Sequence, residues 1–212
     1  MKAAITKIKN KYYLSQKGFS LVELLIYLSL LGLVLAGIFN IYYFGSRSSM
    51  RAQSESEILQ DARLVMVYMD QDIRQATSLN RLQNLPEGVD ADDLQSTPAV
   101  SIESDANSTT LKMYTYVHNE PKRVAYRVIK DNDSDYYIMQ RSVEIIHENI
   151  HTTNPTSWQI IIENIIIPNN YDVFEIVDNR VLLKYMLEDT RGNLSSPIEF
   201  NNTFTVRGKD AM

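Results

Sequence analysis

Residues 21–44 read Leu-Val-Glu-Leu-Leu-Ile-Tyr-Leu-Ser-Leu-Leu-Gly-Leu-Val-Leu-Ala-Gly-Ile-Phe-Asn-Ile-Tyr-Tyr-Phe, with Glu23 as the only charged side chain. As an α-helix rising 1.5 Å per residue, this run is about 36 Å long, enough to cross a hydrocarbon core of about 30 Å. The segment therefore anchors the chain in a membrane. Five lysines (Lys2, Lys7, Lys9, Lys11 and Lys17) precede it without a single acidic residue. Basic flanks of this kind place the N-terminus in the cytoplasm and the bulk of the chain outside. Tyr42 and Tyr43 then fall near the outer interface, where amphipathic rings are favoured.

An ordinary signal peptide fits poorly. The run exceeds a typical h-region of about 7–15 residues, and Gly45-Ser46-Arg47 is a poor small-x-small cleavage site. A plain signal anchor fits the run but gives Glu23 no role. All 26 acidic residues lie beyond residue 18. That acidic remainder argues against general nucleic-acid binding, which needs phosphate-neutralising charge.

Helical character continues past the apolar run. Ile58, Ala62, Val65, Met69, Ile73 and Ala76 recur at spacings of four and three, marking one face of an amphipathic helix. Ser54 and Glu57 have the spacing of a capping box. No Pro and only Gly45 lies between them and the preceding segment, so the sequence predicts one helix from about Phe19 to about Thr77. Its stripe is expected to pack on a globular part of the same chain.

Residues 79–108 lose periodicity and contain Pro86, Gly88, Pro98 and Asp90-Ala91-Asp92-Asp93, as expected of a loop or a loop with a short element. Strands are predicted at Thr109–Val117, Arg123–Ile129, Tyr136–Val143, Trp158–Ile162, Val181–Leu187 and Phe204–Val206. Asp131-Asn132-Asp133-Ser134 reads as the turn of a hairpin, and Arg191-Gly192-Asn193 as another turn. The chain has no cysteine, so its exported part must be stabilised by burial, and its 13 tyrosines and many isoleucines suit a strand-rich core. Helix followed by strands implies an α+β fold, with the long N-terminal helix packed on an antiparallel sheet.

Residues 17–44 carry a resemblance. The stretch Lys17-Gly18-Phe19-Ser20-Leu21-Val22-Glu23, opening the apolar run, resembles the N-terminus of type IV prepilins and pseudopilins. That resemblance implies a basic leader ending at Gly18. It also implies cleavage between Gly18 and Phe19 by a membrane aspartyl peptidase, and N-methylation of Phe19. Glu23, the fifth residue of the processed chain, is then implied to pair with the Phe19 ammonium of a neighbouring subunit and to set axial register. A carboxylate in a membrane helix costs about 2–3 kcal/mol even on permissive scales, so a partner at that depth has physical value.

Further along, Arg63, Asp72, Arg74, Gln75 and Ala76 are similar to the helix end of PilW-like minor pilins and J-type pseudopilins, and a competence pseudopilin stays open. Major pilins often carry a proline within the membrane helix; this chain has Gly32 and Gly37 instead.

The organisation expected is a removed leader over 1–18, a membrane and filament-core half-helix over 19–45 and an amphipathic half over 46–78. A connecting region over 79–108 and a β-rich part over 109–212 follow. The implied partners are other pilins or pseudopilins, the prepilin peptidase and methyltransferase, an inner-membrane assembly platform and the cytoplasmic membrane itself. DNA uptake enters only indirectly, through a filament. Subunit contacts are expected on the charged face of the helix opposite its apolar stripe. The alternative is an anchored extracellular binding module that does not polymerise.

Other motifs are weaker. Asp131, Asp133 and Asp135 begin like a calcium loop, but Tyr136 and Ser142 stand where Gly and Glu are needed. Asp90, Asp92 and Asp93 read as a solvated cluster. His147 and His151 would share a face only if helical, and with His118 they are expected at the surface. Nothing signals a phosphate-binding loop or a nucleophile elbow. The expectation is a structural subunit, not an enzyme, with no cofactor or metal.

Overall fold

The computed structural model describes residues 18–77, 98–105, 108–117, 120–146, 155–168 and 172–206. The chain divides into two units, Met1–Ser49 and Met50–Met212. One helix, α1, runs from Leu21 to Gln75 over 55 residues, within two residues of the expected bounds at either end.

In the first unit every residue of α1 is exposed from Leu21 to Phe44. Among the described residues the second unit contains eight strands: β1 (Val100–Asp105), β2 (Ser108–Val117), β3 (Glu120–Lys130), β4 (Tyr137–Ile145), β5 (Gln159–Ile166), β6 (Phe174–Val177), β7 (Arg180–Leu187) and β8 (Ile198–Thr205). All pairings are antiparallel, in the order β1-β2-β3-β4-β5-β7-β6, with β8 along the other edge of β7. β5 and β6 share one edge of β7: Ile165 and Ile166 pair with Leu187 and Met186, while Phe174–Val177 pair with its first half. The sheet curls, bringing β6 near β1 and β2. The expected α+β class, a long helix with an antiparallel sheet, is what is found.

Within the second unit the predicted stripe faces the sheet. Ala62, Val65, Met69 and Ile73 are fully buried, Ala76 nearly so, and Ile58 packs at the rim. Their partners come from alternate strand positions, as the two-residue period requires: Leu111 and Met113 from β2, Val124 and Tyr126 from β3, and Val181, Leu183 and Tyr185 from β7. Tyr185 also stacks on Phe200 of β8 at 5.3 Å. The helix stops where β2 takes over its backbone groups. Thr77 N–H donates to the Tyr114 carbonyl at 2.9 Å, and Thr115 Oγ1 donates to the Gln75 carbonyl at 3.2 Å.

Two strands escaped the sequence reading. β1 lies inside the segment expected as a loop with at most a short element, and β6 has only four residues. The β6–β7 hairpin closes on Asp178-Asn179, with Asp178 at φ 52°, a left-handed conformation that Asp tolerates. Asn164, at φ 58°, marks an irregularity where β5 shifts register against β4. The final strand is longer than predicted and begins at Ile198. The opposite face of α1 is not purely charged either: Leu59, Leu64 and Val67 are exposed on it among the ionic side chains.

Candidate processing and assembly site

Gly18, Phe19 and Ser20 precede α1 in non-helical backbone, and all three are exposed. Ser20 is the helix cap. Its Oγ accepts the Val22 N–H at 3.3 Å, and its carbonyl accepts the Leu24 N–H at 3.1 Å, the first bond of the α-helical ladder. A Cβ built on Gly18 would meet nothing within 4 Å. The Phe19 ring packs edge-on to Tyr27 at 6.0 Å between centroids. Glu23 lies in the first turn of α1, where the partial positive charge of the helix terminus favours an anion.

The polar side chains of the apolar run divide sharply. Ser29 Oγ donates to the Leu25 carbonyl at 2.8 Å, and Asn40 Nδ2 donates to the Ala36 carbonyl at 3.0 Å. Both thereby satisfy a donor inside their own helix, the arrangement a hydrocarbon environment demands. Glu23 has no hydrogen-bond or ion-pair partner among the described residues. It is the single formal charge between Leu21 and Phe44, the apolar part of a helix long and apolar enough to cross a membrane. Sequence reasoning singled out Gly18, Phe19 and Glu23 but missed the capping role of Ser20. The Ser-x-x-Glu spacing of Ser20 and Glu23 was the available signal.

In the second unit the residues singled out near the helix end have separate fates. Asp72 is buried and accepts three hydrogen bonds. Arg141 of β4 grips it with two, Nε to Oδ2 at 2.9 Å and Nη2 to Oδ1 at 3.0 Å, and the Tyr126 hydroxyl of β3 donates to Oδ2. The guanidinium also lies over the rings of Tyr68 and Tyr126, at 5.1 and 5.9 Å. Burial, then the Asp72 charge, push the Tyr126 phenol well above its usual range, so it stays a neutral donor. Burial alone would lower the Arg141 pKa, but its hydrogen bond to Asp72 and the adjoining charges outweigh this and raise it.

Arg74, by contrast, makes only an exposed pair with Asp70, four residues earlier. Arg63 is exposed, Gln75 supplies the carbonyl held by Thr115, and Ala76 joins the core. Ser54 does not begin a helix. It is buried mid-helix and accepts a hydrogen bond from Asn193 Nδ2 at 2.9 Å, in the predicted turn before β8. Asp189 orders that turn by accepting the N–H groups of Arg191, Asn193 and Leu194.

Asp131, Asp133 and Asp135 all sit in the β3–β4 turn. Asp131 accepts from Ser134 Oγ at 2.8 Å, and Asp135 pairs with Lys130 at 3.3 Å. Among the described residues no group of three acidic, histidine or cysteine side chains is arranged to hold a metal. His118, His147, His151, Asp90, Asp92 and Asp93 lie outside the described residues, as does the expected leader before Gly18.

Residues 14–39 match the family model of the prokaryotic N-terminal methylation motif. No curated protein and no solved structure matches the chain.

Proposed function

We infer, from an N-terminus of the type IV pilin and pseudopilin kind, that this chain is a structural subunit of a type IV pilus-like filament, a minor pilin or pseudopilin. The matched motif is a structural one and not that of an enzyme family. The observation that carries the reading is this motif, lying across residues whose geometry suits what it implies: an exposed, non-helical Gly18–Phe19 bond and an unpaired Glu23 a short way into an apolar helix.

In this reading the chain is made with its N-terminus in the cytoplasm, α1 across the cytoplasmic membrane and the second unit outside. A membrane peptidase hydrolyses the Gly18–Phe19 bond, and a methyltransferase transfers a methyl group to the Phe19 amine from a methyl donor. The assembly platform then brings the processed subunit against its neighbours. The Phe19 ammonium of one subunit and the Glu23 carboxylate of another meet between apolar helices. Their attraction is strong there because the surroundings have a low dielectric constant. Within one chain the regular first turn of α1 separates the two groups, so a neighbour displaced along the axis is the natural donor.

Intact-mass analysis of the protein from its native membrane tests the reading. The expected species lacks residues 1–18 and carries one methyl group on Phe19. A chain that still begins at Met1 overturns it in favour of an anchored module that does not polymerise.

A further inference from the structure

We propose that Ser20 is a positioning residue for leader cleavage: by capping α1 it keeps the Gly18 carbonyl, where hydrolysis must occur, out of the helical hydrogen-bond ladder. This rests on the cleavage proposed above and adds to it a reason why the bond is open to attack.

Hydrolysis of the Gly18–Phe19 peptide adds water across the C–N bond. Gly18 is left with a carboxylate and Phe19 with an ammonium, and no other reactant is consumed. The attacked atom is the Gly18 carbonyl carbon, and the carbonyl oxygen must be free to receive charge from the attacking water. A carbonyl already accepting an intrahelical hydrogen bond, enclosed by the turn above it, meets neither need.

The helix start decides which state the carbonyl is in. As found, the ladder begins with the Ser20 carbonyl, which accepts from Leu24, and Gly18 and Phe19 stay outside it. Moving the start two residues upstream is sterically simple. Glycine is an acceptable cap, and nothing crowds Gly18. In that longer helix the Gly18 carbonyl would accept the N–H of Val22, four residues on. That is the same N–H now held by Ser20 Oγ. The serine hydroxyl and the scissile carbonyl therefore compete for one donor, and a residue at position 20 without a side-chain acceptor gives the donor to the carbonyl.

The experiment is a pulse-chase of the full-length chain in membranes containing its peptidase, following conversion of precursor to the shorter form at equal membrane abundance. Ser20→Ala should slow conversion by up to about five-fold, the loss of a typical cap expressed as an equilibrium shift. Ser20→Asn, a comparably good cap with a different shape, should restore the wild-type rate, and Ser20→Thr should come close to it. Wild-type conversion by Ser20→Ala overturns the inference. So does Ser20→Asn that is as slow as Ser20→Ala, which would show that the hydroxyl itself is recognised. Either result leaves cleavage at Gly18–Phe19 standing, whereas a wild-type precursor that is never shortened removes the functional reading and this inference together.

Discussion

The two halves of α1 obey different rules. From Leu21 to Phe44 the helix is exposed on every side, and its neutral polar side chains Ser29 and Asn40 bond back to their own backbone. From Met50 onward one stripe is buried, and two polar side chains within it reach other elements: Ser54 to Asn193, and Asp72 to Arg141 and Tyr126. A helix in hydrocarbon keeps its hydrogen bonds to itself, whereas a helix on a sheet can spend them on fixing its position. Glu23 belongs to the first half by place, yet unlike Ser29 and Asn40 it bonds to nothing in its own helix among the described residues.

The comparison breaks first, and furthest, at Met69. Met69→Asp puts an unpaired charge at a fully buried position and should cost upwards of about 4 kcal/mol. Thermal unfolding of a soluble fragment beginning near Ser46 should show the loss of a cooperative transition. An unchanged melting temperature would mean that the stripe does not face the sheet.

Asp72→Ala should follow, costing about 1.5–3 kcal/mol because the half-buried Arg141 and the Tyr126 hydroxyl lose the carboxylate they bond. Denaturant unfolding checks it. Adding Arg141→Met to Asp72→Ala should recover part of the loss, since an apolar pair of similar bulk removes the stranded charge.

A smaller effect is expected in acid. Burial would raise the Glu144 carboxyl, but its hydrogen bonds from Arg123, Thr156 and Ser157 outweigh that and hold it below the usual carboxylate range. A depressed folded-state pKa contributes stability above the unfolded value of about 4.5, and the contribution is lost as pH falls through the folded one. Asp61 works in the opposite sense. Burial and then Glu57 raise its pKa, so its ionisation costs stability and acid relieves that cost. Stability measured from pH 6 to pH 3 should therefore decline less steeply in Glu144→Gln than in wild type.

The smallest effect on the fold belongs to Glu23→Leu, which should leave the unfolding of the second unit unchanged and relieve a desolvation cost in the membrane. Incorporation into sheared filaments, at equal abundance of processed protein, should nevertheless fall. Wild-type incorporation would remove the ionic pairing from the proposed function while leaving processing in place.

What could be read from the sequence follows the range of each interaction. The stripe from Ile58 to Ala76 repeats every three or four residues and was legible because helix periodicity is local. The methylation motif over residues 14–39 was legible for the same reason, as one short pattern beside one apolar run. Asp72 was noticed through resemblance, but its purpose depends on Arg141, 69 residues away, and nothing in the intervening sequence announces that contact. Ser54 and Glu57 have the spacing of a capping box, but the sequence reads one continuous helix through them, as found. The actual partner of Ser54, 139 residues on, was out of reach of any local rule. β1 and β6 were missed because strands of six and four residues owe their existence to the neighbours they pair with.

The uniform exposure of residues 21–44 has a mechanical consequence. To a side chain of leucine or isoleucine, lipid tails and the flank of another apolar helix are nearly interchangeable solvents. A helix so clad, with Ser29 and Asn40 already closed on themselves, leaves a bilayer for a bundle of its own kind with little change in hydrophobic free energy. It can also turn and slide among such helices like a smooth rod in a greased bearing. Between Leu21 and Phe44 the one formal charge along that rod is Glu23.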